Sequence, residues 1–116
     1  MTMELTWHGH STWHVDVDGT TFLIDPFFDN PNTDLAAAEV ETPDYLLLTH
    51  GHADHIADVA AFAHATAVGV PELTAYLESA VGLDATIGLN IGGTVECGAD
   101  FVTMPRADHT NGLHQG

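Results

Sequence analysis

Lysine is absent from this 116-residue chain, and arginine occurs once, at Arg106. Against that single cation stand 17 acidic side chains, for a formal charge of −16 with histidine neutral. A surface of this sign repels phosphate backbones and anionic lipid headgroups, so neither nucleic acid nor a membrane is an expected partner. Cysteine also occurs once, at Cys97, which excludes an intramolecular disulfide and fits a reducing compartment. No apolar run approaches the ~18 residues of a membrane span, and no basic segment followed by an apolar one opens the chain. The expectation is a soluble cytoplasmic protein.

What is present argues against disorder, the usual alternative for so acidic a chain. Hydrophobic residues make up 45% of the sequence and fall in short, strand-like runs. Scarce lysine with abundant carboxylate is the style of proteins from salt-loving microbes. Self-repulsion is poorly screened in dilute buffer, so the melting temperature is expected to rise with molar KCl. The length suits one domain spanning residues 1–116.

The densest chemistry lies in Thr49-His50-Gly51-His52-Ala53-Asp54-His55, directly after the apolar run Tyr45-Leu46-Leu47-Leu48. That run reads as a buried strand, and Ile56 to Ala65 reads as a helix. The histidines therefore occupy the loop leaving a strand's C-terminal end, where α/β proteins place ligands. His50 and His52 share one side of extended backbone. Asp54 and His55 follow where the chain turns into the helix and address a neighbouring point. The pattern predicts a metal site.

Around this loop the order is regular. Met3–Trp7, Thr12–Val17 and Thr20–Ile24 read as a meander, with Asp18-Gly19 as its two-residue turn. Phe27 to Pro43 is rich in turn formers and forms the longest irregular connection, a candidate rim of the pocket. Beyond the loop come a short strand Ala67–Val70 and a helix Glu72–Ala80, opened by Pro71 and ended by Gly82. Thr86–Leu89, Thr94–Cys97 and Asp100–Met104 complete the strands. The fold class is α/β (α+β layered), with mixed sheets. Asp25, at a strand end, is a candidate brace for the histidine loop. Asp58 reads as a solvated or capping carboxylate, and Cys97 as a buried, inert thiol. His8, His14, His64 and His114 read as surface or core-edge histidines.

His50-x-His52-x-Asp54-His55, with Gly9-His10-Ser11 and Ile24-Asp25-Pro26-Phe27 upstream, resembles the signature of the metallo-β-lactamase superfamily. Asn90-Ile91-Gly92-Gly93-Thr94 and Ala107-Asp108-His109-Thr110 follow in the order used by its branch of ascorbate-6-phosphate lactonase-like metal-dependent hydrolases. The resemblance implies an αββα sandwich, of which this chain would supply the N-terminal half, since the family's chain is about twice as long. It implies that His50, His52 and His109 hold one metal and that Asp54 with His55 begins a second site. His10 is implied to be a pocket residue. Zn2+ is the implied cofactor, one ion or two, with Mn2+ or Fe2+ as alternatives. Such an ion brings the pKa of a bound water towards about 7, and Asp54 is the catalytic residue that would orient it.

Two functional readings follow. One is a metal-dependent hydrolase acting on a small-molecule ester, lactone or phosphoester. The other is a non-catalytic half-domain that binds metal weakly or needs a partner chain, a homodimer included, to complete its site.

Overall fold

A computed structural model describes residues 2–90, 93–98 and 100–103. Six strands form one sheet in sequence order: β1 (Met3–Trp7), β2 (Trp13–Val17), β3 (Thr20–Ile24), β4 (Tyr45–Leu47), β5 (Thr66–Gly69) and β6 (Ala85–Gly88). The first three pair antiparallel, and β3 to β6 run parallel. A separate antiparallel hairpin joins β7 (Thr94–Cys97) to β8 (Asp100–Thr103). The expected mixed-sheet α/β architecture is what forms.

Local chemistry explains the turns. Asp18 (φ 50°) and Gly19 (φ 92°) both take positive φ, the backbone that a tight two-residue hairpin requires. Asp16 accepts the Gly19 N–H at 2.9 Å, which secures the turn. Helix α2 (Pro71–Val81) opens on Pro71, whose missing N–H costs nothing there, and ends at Gly82 in the left-handed region (φ 72°). Asp44 joins β3 to β4 before the parallel ladder begins: its carboxylate accepts the Thr21 N–H and its own N–H donates to Thr21 Oγ1, each at 2.9 Å.

Period-two alternation sends the side chains of each strand to two different cores. Leu23, Leu46 and Ala67, register partners on β3, β4 and β5, face Phe62, Leu73, Leu77 and Leu83 beneath the helical layer. Phe22, Leu47 and Val68 face the other way, towards Leu89, Cys97, Val95 and Val102 beneath the β7–β8 hairpin. Cys97 is buried, as expected, and burial followed by the nearby Asp100 pushes its thiol pKa up, away from the reactive thiolate.

The expected helix from Ile56 to Ala65 does not form. In its place stand a four-residue helix, α1 (Ala53–Ile56), and a separate 3-10 turn at Val59–Phe62. Asp58 breaks the run, because its N–H donates to Pro26 O at 3.0 Å and its carboxylate accepts the Phe28 N–H at 2.7 Å. Val59 and Phe62, three residues apart, are then eclipsed on one side of the 3-10 turn and both are buried. Alanine content favours a helix here, but the tertiary hydrogen bonds prevail.

Candidate metal centre

The C-terminal ends of β3 and β4 bring two stretches together. Asp25 directly follows β3, still on the ladder through its N–H to Leu47 O at 3.0 Å, and Thr49 to His55 follow β4. Asp25 is not a solvated turn residue. It is 1% exposed and holds a positive φ of 45°, a costly backbone for a non-glycine residue. Its carboxylate accepts three hydrogen bonds: Thr49 N–H on Oδ1 at 2.8 Å, and Thr49 Oγ1 at 2.5 Å and His55 Nδ1 at 2.7 Å on Oδ2. Burial pushes the Asp25 carboxyl above its usual pKa, and the bonds from Thr49 and His55 offset only part of that rise.

This arrangement decides which nitrogen of two histidines carries the proton. A carboxylate only accepts, so the one hydroxyl hydrogen of Thr49 goes to Asp25. His50 Nδ1, 2.9 Å from Thr49 Oγ1, is then the donor of that contact. His55 Nδ1 is likewise the donor to Asp25. Both rings are left with the lone pair on Nε2, the form in which imidazole ligates a metal. The His50 ring lies 4.4 Å from the His52 ring and 4.0 Å from the His55 ring between centroids. Nε2 of His50 and Nε2 of His52 are both shielded from solvent.

The outer side of the loop is different in kind. Asp54 is half exposed, and its Oδ2 lies 3.1 Å from His10 Nε2 while its Oδ1 lies 3.7 Å from His55 Nε2. His10 arrives from the β1–β2 connection with φ 52°, its carbonyl accepting the Trp7 indole N–H at 2.9 Å. Gly9 before it has no room for a side chain, since a Cβ would fall 2.0 Å from Asn30 Oδ1.

Two groups of potential ligands thus meet: His10, Asp54 and His55 in one, and Asp25, His50 and His55 in the other, each with its ligand atoms within 4.8 Å. In the second group the Asp25 oxygens already accept hydrogen bonds from Thr49 and His55. Imidazole nitrogens with one exposed carboxylate, that of Asp54, are a donor set that suits a borderline divalent ion such as Zn2+. The expected ligands His50, His52, Asp54 and His55 lie together, with Asp25 and His10 beside them. His109 lies outside the described residues.

Three contributors escaped the sequence reading. Thr12, fully buried, donates to Asp25 O at 2.7 Å and accepts the Phe27 N–H at 3.0 Å, clamping the chain on both sides of Pro26. Asp58 fixes Phe28 and Pro26, as described above. Thr49 relays Asp25 to His50. The available signal was common to all three: a short polar side chain within three residues of a ligand-type histidine.

An α/β sheet with a histidine-rich, carboxylate-braced loop at the ends of its parallel strands is a layered fold with a candidate metal site. The chain belongs to the metallo-β-lactamase superfamily, whose family model matches residues 5–88. It is 68% identical over 111 residues to a UPF0173 metal-dependent hydrolase of Haloquadratum walsbyi, covering 96% of this chain and 47% of that protein. A UPF0173 metal-dependent hydrolase of Halorubrum lacusprofundi is 61% identical over 117 residues, with 98% and 47% covered. Among solved structures, Igni18, a metallo hydrolase from Ignicoccus hospitalis, superposes with a TM-score of 0.71 at 33% identity, over 81% of this chain and 42% of that one. The chain spans about half the length of the curated relatives it matches.

Proposed function

We propose that this chain carries the metal-holding part of a metal-dependent hydrolase, with Zn2+ as its ion and a small ester, lactone or phosphoester as its substrate. The observation that carries this reading is the convergence of His50, His52, Asp54 and His55 on a loop whose histidine tautomers are set by the buried Asp25. The relatives' names, metal-dependent hydrolases, support the same class. A bound divalent ion would supply Lewis acidity and an activated water. The chain's own residues divide the remaining work. His50 and His52 present Nε2 to the ion, Thr49 holds the His50 ring and Asp25 the His55 ring, and Asp54 offers an exposed carboxylate oxygen that can accept a proton beside it. No helix among the described residues is long and apolar enough to cross a membrane. We place the protein in the cytoplasm of a halophile, a reading supported by its charge and by the sources of its relatives.

A second reading is favoured by one observation. Met3, Leu5 and Trp7 on β1 are at least half exposed on one face of an edge strand, in a chain half as long as its relatives. On this reading further chain, or a second copy, covers that face and completes the site.

Metal per chain, measured by elemental analysis after dialysis in molar KCl, tests the proposal. At least one retained ion, lost in His50→Ala, together with hydrolysis of a lactone or phosphoester that chelation abolishes, is the expected result. A folded chain that retains no ion would contradict it. Retained metal without turnover in the chain, and with turnover once a partner is supplied, would favour the second reading.

A further inference from the structure

We propose that His10, on the β1–β2 connection, is a metal ligand, and that with Asp54 and His55 it forms a cation site on the exposed side of the histidine loop. The inference rests on the metal-centre reading above and goes beyond it by assigning a ligand from outside that loop.

The argument begins with His55. Its Nδ1 lies 2.7 Å from Asp25, and its Nε2 turns towards Asp54 Oδ1, 3.7 Å away. His10 Nε2 approaches the other oxygen of Asp54 at 3.1 Å, which puts three donor atoms from two separate segments within 4.8 Å of one another. A divalent ion would satisfy all three. The ring is also held in place. The Trp7 indole fixes the His10 carbonyl, His10 keeps a left-handed backbone, and its ring packs edge-on to both Phe27 (5.4 Å) and His55 (5.1 Å). A histidine that served only as exposed surface has no need of that much positioning.

The test is a Co2+ titration of the chain in molar KCl, followed by absorbance, with wild type beside His10→Asn. Asparagine tolerates the left-handed backbone and is expected to preserve the fold. Wild type should bind in two steps, and the variant should lose affinity by about tenfold or more in one step only. In parallel, 15N spectra of the histidine rings during Zn2+ titration should show His10 Nε2 shifting with that same step. Identical titrations for wild type and variant, or a His10 ring that does not respond to metal, would overturn the assignment while leaving the metal-centre proposal standing. A wild-type chain that binds no cation would overturn both.

Discussion

The two faces of the six-stranded sheet are closed to very different degrees. On the helical side Leu23, Leu46 and Ala67 are 0% exposed, and Phe62 is 1% exposed above them. On the other side, among the described residues, the β7–β8 hairpin alone covers the sheet, with Leu5 at 59% and Phe101 at 71% exposure. Hydrophobic stabilisation scales with the apolar area removed from water, so the helical side carries most of the stability. The histidine loop is tied to that side. Val59 and Phe62 anchor the chain just beyond α1, and Asp58 between them and the loop holds Pro26 and Phe28. The difference teaches that the histidine loop is anchored from the closed face, while His10 beside it is held through Trp7 on the open one.

Substitutions on the two faces should therefore differ sharply. Phe62→Ala should be the most damaging, at about 3–5 kcal/mol of unfolding free energy by denaturant titration, with metal retention falling alongside. A loss of stability with metal affinity intact would break the link between closed face and site. Cys97 gives a kinetic comparison. Its buried thiol should react with a thiol reagent through local undocking of the hairpin, about tenfold or more faster than global unfolding allows. Labelling that tracks global unfolding would mean the two faces open together. The smallest effect belongs to Leu5→Ser, a change at an exposed position of β1 that should stay within about 0.5 kcal/mol and leave metal binding unaltered. A larger loss would show that something covers this strand in solution.

How much of this could be read in advance differs from residue to residue. The hairpin at Asp18-Gly19 was legible because its turn chemistry is local, and so was α2, with Pro71 and Gly82 at its ends. The clustering of His50, His52, Asp54 and His55 was legible because it lies within one short loop. The broken helix at Asp58 was not, since its cause is a pair of hydrogen bonds to Pro26 and Phe28, distant in sequence. The roles of Thr12 and Thr49 were hidden for the same reason, as a hydroxyl says nothing about its partner until the strands are paired. Asp25 stood at the right place in the sequence, but its burial depends on β3 and β4 being neighbours.

The central claim is that one buried carboxylate sets the tautomers of two histidines and so presents their Nε2 atoms to a metal. Long-range 1H–15N correlation of the histidine rings in the metal-free chain, in molar KCl, tests it most directly. The account predicts a protonated Nδ1 and an unprotonated Nε2 at both His50 and His55, with His50 losing that preference in Thr49→Val. Protonated Nε2 at either histidine in the folded wild type would contradict it.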